Sequence, residues 1–212
     1  MGRALRGSDS AGPTSSRPLP DEAKPKSRTW DPEEWEEDKR YIEAMDLLVA
    51  GRKRDALHKL VQLHDDDPSH QPARQQIFEL SVELKLKEQL EKHAEWVVGL
   101  HLQQHEGQAA CDAYRGTRTT APELAFGERT LIQVLITAEK AKDSRVVIDA
   151  AGQLLRNFPE SAALPRAFFA TATAQEAEQR PDLAKVTLKT LITRYPLDPL
   201  AQMAERKLAE LG

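Results

Sequence analysis

Aromatic side chains make up only 5% of this 212-residue chain. That scarcity argues against a sheet-built core, where aromatic and β-branched residues fill the pleated surface. Cysteine is nearly absent, since Cys111 stands alone. One thiol excludes an intramolecular disulfide and a zinc cage built on several thiolates, and it fits a reducing, cytoplasmic setting. Long apolar runs are missing, with no stretch near the ~18 residues of a membrane-crossing helix. The basic start, Met1 to Gly7, has no apolar stretch behind it, so no secretory signal is expected. Arg6 stands where N-myristoylation prefers Ser or Thr. An excess of positive charge is lacking too: the net charge is -4, so no nucleic acid partner and no membrane insertion are expected. The 10 glycines form no phosphate-cradling loop, and no nucleophile-elbow or kinase-type element is found. No enzyme activity, cofactor or metal is expected.

Hydrophobic residues still reach 40% and charged residues 30%, a mix suited to helices packed through aliphatic and small side chains. Residues 1–30 carry Pro13, Pro18, Pro20 and Pro25 without apolar periodicity, so they read as a disordered leader or linker. Charge then reverses in Asp31-Pro-Glu-Glu-Trp-Glu-Glu-Asp38. This phrase predicts a helix start, with Asp31 as cap, Pro32 in the first turn and Glu34 three residues on. Trp30 is placed to staple against Trp35, and a binding role for either indole is the alternative. The ordered domain is expected over 31–212.

Spacing predicts about ten helices, at 32–50, 52–65, 70–85, 87–104, 107–119, 122–141, 143–157, 161–178, 181–194 and 197–211. Pro122, Pro159 and Pro196 fall 37 residues apart, and Pro68 closes an earlier copy. Twelve, eight and five places before each proline stand expected packing residues: Ala56, Leu60 and Leu63; Ala110, Tyr114 and Thr117; Val147, Ala151 and Leu154; Ala184, Leu188 and Leu191. Ala44, Leu47, Val98, Leu135, Ala138 and Ala172 supply the facing helices. The interval from Pro68 to Pro122 is 54 residues, one repeat plus a surplus helix, which the pattern assigns to 70–85 as an unpaired element.

This phrasing resembles the second helix of a tetratricopeptide repeat, although the family repeat is ~34 residues and opens with a Trp and Leu-Gly signature missing here. The resemblance implies an all-α solenoid, a right-handed superhelix of antiparallel helix pairs with 197–211 as a polar capping helix. It implies a scaffold or adaptor that holds another protein's peptide or helix in a concave groove. The groove candidates are Tyr41, Met45, Lys92, Glu95, Arg129, Ile136, Arg166, Phe169, Thr173 and Glu176, with Phe168 turned to the core. Homo-oligomerisation is compatible with this reading. The rival readings are a tethered soluble module of a membrane-associated assembly and a metal-dependent enzyme.

For the metal reading, His101 and His105 lie one turn apart, with His93 two turns earlier and Glu106 adjacent. A solvated polar face is the expectation; for His58, His64 and Asp65 to Asp67 the aspartates read as a helix end leading into Pro68, without a calcium-loop glycine and glutamate, so no metal is expected there either. Cys111 is expected to pack rather than react, and Trp96 to lie in the core.

Overall fold

The computed structural model describes residues 38–211, and every regular element among them is a helix. In chain order these are α1 Lys39–Val49, α2 Lys53–Asp66, α3 Gln71–Glu83, α4 Lys87–Gln103, α5 Gly107–Thr120, α6 Glu128–Ala141, α7 Ser144–Asn157, α8 Leu164–Ala177, α9 Pro181–Arg194 and α10 Pro199–Glu210. Each packs on the next, and α3 meets α5, α4 meets α6, α5 meets α7 and α8 meets α10. Short connections make neighbours antiparallel. Odd-numbered helices therefore form one layer and even-numbered helices the other. The expected all-α stack of successive helix pairs is what forms. No helix among the described residues is long and apolar enough to cross a membrane. The leader and the Asp31 cap lie outside the described residues; α1 is capped by Asp38, whose carboxylate accepts from the Arg40 amide at 2.8 Å.

Two turn types build the stack. The tight turn places one residue in the left-handed region: Gly51, Lys85, His105, Lys142 and Gln179, at φ 57–75°. In each, two successive amides fold back on the helix end; those of Lys142 and Asp143 donate to Glu139 and Ala138 at 3.1 and 2.9 Å. This satisfies carbonyls that a helix end leaves open. The wide turn ends the helix on a non-helical residue immediately before a proline: Asp67, Ala121, Phe158 and Tyr195, all with φ between -131° and -135°. Proline forbids the helical conformation to its predecessor, which is why the prolines mark these ends.

Tight and wide turns alternate except at α4, which has a tight turn at both ends. The surplus helix is thus α4, not the segment 70–85. Nor is α3 unpaired: it packs on α2, α4 and α5, and Val82 Cγ1 lies 3.2 Å from where a Cβ on Gly116 would stand. A glycine there lets α3 and α5 approach.

All twelve packing residues named before the prolines are buried, at 8% exposure or less. Nine of them join three apolar clusters, in α1–α3, in α3–α8 and in α8–α10. Phe168 and Tyr195 touch both of the last two. One boundary moves: the helix expected from 122 begins at Glu128. Between them Phe126 is buried against Tyr114, ring centroids 5.0 Å apart. Its amide donates to Gln153 Oε1 at 3.4 Å. Burying that ring outweighs an earlier helix start at Pro122.

Candidate functional site

Consecutive repeats meet at three joints, and the 37-residue register lets them be compared side chain by side chain. At the α5–α7 joint, Asp149 accepts from Tyr114 Oη at 2.7 Å and from Arg118 Nε at 2.8 Å. Gln153 donates to Tyr114 Oη at 2.6 Å, and Arg115 pairs with Asp143. Burial alone would raise the Asp149 carboxyl, but bonds from Arg118 and Tyr114 outweigh it and hold the carboxyl below the usual range. Burial first, then the Asp149 charge, pushes the Tyr114 phenol upward.

One repeat on, between α7 and α9, every member of this lock is replaced. Tyr114, Arg115 and Arg118 become Ala151, Gly152 and Leu155; Asp143, Asp149 and Gln153 become Arg180, Val186 and Thr190. Small and apolar residues leave a cleft of about 260 Å³ there.

The even layer opens at the same place. Between α6 and α8 lies a cleft of about 370 Å³ lined by Ala138, Val147, Ala170, Ala174 and Ala177, with Glu139, Lys142, Ser144 and Thr173 at its edge. The matching site one repeat earlier, about 400 Å³, is lined by Leu102, His105, Gly107, Thr137 and Lys140. One repeat later Lys207 reaches Glu176 across the gap. Arg166 donates to Glu139 at 2.8 and 3.0 Å beside the middle cleft.

The sequence-derived groove set does not lie on one layer. Lys92, Glu95, Arg129, Ile136, Arg166, Phe169, Thr173 and Glu176 stand on even helices, whereas Tyr41 and Met45 stand on α1 in the odd layer. The surplus helix inverts the alternation between them, and Tyr41 instead stacks on His70 at the head of α3, 5.1 Å away. Glu95 is engaged within the fold, accepting from the Gly127 amide at 3.0 Å and from Thr130 Oγ1 at 2.9 Å. It thereby caps α6, whose own N-cap residue has no side chain to do so. Lys92 pairs with Glu88 within α4, and Arg129 is exposed. Ile136 and Met45 are half-buried. Phe169 is half-buried against the α8–α10 cluster, so less of it is free than its expected groove position implies. Thr173 is exposed at the cleft, its hydroxyl donating to the Phe169 carbonyl at 3.1 Å.

The histidines are not a set. His101 Nδ1 meets Glu106 Oε2 at 2.7 Å, and His105 forms a turn. His93, expected on a solvated face, is 5% exposed and packs edge-on against His64, centroids 5.1 Å apart. Burial, with His64 and Arg74 adding, lowers the His93 imidazole to about 4. Burial and Arg74 also lower His64. Arg74 in turn lies 4.4 Å above the half-buried Trp96 ring. The sequence missed this cluster because its members come from three helices. His58 is exposed and bonded to Gln62, while Asp67 caps the Ser69 amide at 3.1 Å. Among the described residues no group of three His, Cys, Asp or Glu is placed to hold a metal ion. Cys111 is fully buried, and burial with nearby Asp143 raises its thiol to about 11, which keeps it protonated and unreactive. Trp30 and Trp35 lie outside the described residues.

No protein-family model matches the sequence, and no curated protein matches it. Among solved structures the chain is similar to a tetratricopeptide repeat protein from Parabacteroides merdae ATCC 43184. The TM-score is 0.38 with 14% identity, over 84% of this chain and 73% of that one.

Proposed function

We propose that the chain is a protein-interaction scaffold that holds an extended segment of a partner protein in the cleft between α6 and α8. The observation that carries the reading is the alanine-floored cleft of about 370 Å³ with Arg166, Glu139 and Thr173 at its edge. Four alanines and Val147 make the lining of this cleft mainly apolar, which favours side chains of a partner over water. Arg166 is half exposed, and its guanidinium can exchange Glu139 for a partner carboxylate as a bidentate contact. The space takes one or two side chains, so a peptide fits and a folded domain face does not.

Panning a displayed random-peptide library against the full chain tests this. Enriched peptides should bind the unaltered chain and lose at least about tenfold in affinity, 1.4 kcal/mol, on Arg166→Glu with Thr173→Arg. Both positions are exposed, so helicity and Tm should stay unchanged. No enrichment, or peptides indifferent to the double variant, would overturn the reading.

A further inference from the structure

The second cleft, between α7 and α9, lies on the opposite layer and calls for a different occupant. Ile148, Ala151, Leu155 and Phe168 give it an apolar floor. That floor continues onto α9 through Leu183 and Val186, which are 44% and 61% exposed. Val186 occupies the register of Asp149, so its exposure follows from the loss at this joint of the lock that stands one repeat earlier. The rim is basic. Arg156 Nη1 lies 3.3 Å from where a Cβ on Gly152 would stand, and Gly152 lines the cleft. The Arg194 guanidinium sits 5.8 Å from the Phe168 ring centroid. Arg145, seven residues before Gly152, shares its helix face. Among the described residues none of these three arginines has a carboxylate within ion-pair distance, whereas Arg115, Arg118 and Arg166 are all paired.

We propose that this cleft receives residues 30–37 of a second copy of the chain, so that copies associate head to tail. The segment reads Trp-Asp-Pro-Glu-Glu-Trp-Glu-Glu, two indoles among five carboxylates, the chemical complement of an apolar floor with an arginine rim. An indole covers the half-buried Ile148 and Leu155 and the exposed Val186, and the carboxylates meet Arg145, Arg156 and Arg194 in charge-assisted bonds. Trp35 of the same copy cannot make this contact. Trp35 stands three residues before Asp38, a reach of at most ~11 Å. Between α1 and α7 the odd layer holds α3 and α5, three interaxial spacings of ~8–10 Å each. Because the two contacting surfaces differ, the association is heterologous and every assembly keeps one free tail and one free cleft. It is independent of the α6–α8 reading, since no residue is shared.

Sedimentation of the full chain tests this. Mass should rise with concentration and fall back at high salt, as screened rim contacts require. A tail variant (Trp30→Ala with Trp35→Ala) and a cleft variant (Arg156→Glu with Val186→Glu, both exposed positions) should each be monomeric with unchanged Tm. Mixed together, they should form a one-to-one dimer and nothing larger, because only one productive junction is left. A chain that is monomeric at every concentration, self-association untouched by the tail variant, or a mixture without the dimer overturns the proposal.

Discussion

Arg118 donates to Asp149 at 2.8 Å across the α5–α7 joint, and one repeat later the same two positions are Leu155 and Val186. A charged lock in one joint and an apolar gap in the next make the stack uneven along its length. Both clefts described above border the α7–α8 contact, one on each layer.

Removing the acceptor of that lock should be costly. Asp149→Ala strips partners from the largely buried Arg118 and Tyr114. The loss should be roughly 1–3 kcal/mol, below the fully buried case because the Asp149 side chain is 38% exposed. Arg118→Leu combined with Asp149→Val installs the residues of the next joint. Denaturant melts should show the double variant at least about 1 kcal/mol better than the sum of the singles; strict additivity would mean that the two residues do not act as a pair.

Acid should weaken the α2–α4 contact. The His93 imidazole, at about 4 in the fold, titrates near 6.5 in an unfolded chain. Between those values the unfolded state binds the extra proton, so stability is full above pH ~6.5 and declines as pH falls toward 4. At 1.36 kcal/mol per unit the loss from this group is about 3 kcal/mol, and His64 acts in the same direction. Chemical melts across that window should show the slope in the unaltered chain and a flatter one in His93→Leu. Equal slopes would place the acid sensitivity elsewhere.

Leu154 and Leu188 are 1% and 0% exposed, so Leu154→Ala and Leu188→Ala should each cost roughly 2–5 kcal/mol. His101→Ala removes a half-buried ring bonded to an exposed Glu106 and should cost less. A melt in which the histidine change is the worst of the three contradicts the repeat register.

That register is readable from the sequence alone, and the reason is local. A proline constrains its predecessor, so Pro68, Pro122, Pro159 and Pro196 announce helix ends at Asp67, Ala121, Phe158 and Tyr195, and packing residues follow by counting back. The start of α6 is not readable, because Pro122 is as good a first-turn residue as a turn residue. Long-range burial of the Phe126 ring against Tyr114 decides it, with the bond from the Phe126 amide to Gln153. The surplus helix is legible as a surplus but not in place: left-handed turns at Lys85 and His105 carry no glycine to signal them. Small residues at 151 and 152 are visible too, yet a small residue reads equally as tight packing or as a gap. Which it is depends on Val186, thirty-odd positions away. The Glu95 cap and the His64–His93 pair join helices whose facing sides no spacing rule connects.

The central claim is that a partner segment lies between α6 and α8, and photo-crosslinking of an enriched peptide from defined positions tests it most directly. A photoreactive phenylalanine derivative placed at Thr173, exposed at the cleft edge, should form a covalent adduct with the peptide. The same group at Arg54, exposed on α2, should form none. Adducts at Arg54 alone, or in equal yield from both positions, would contradict the account.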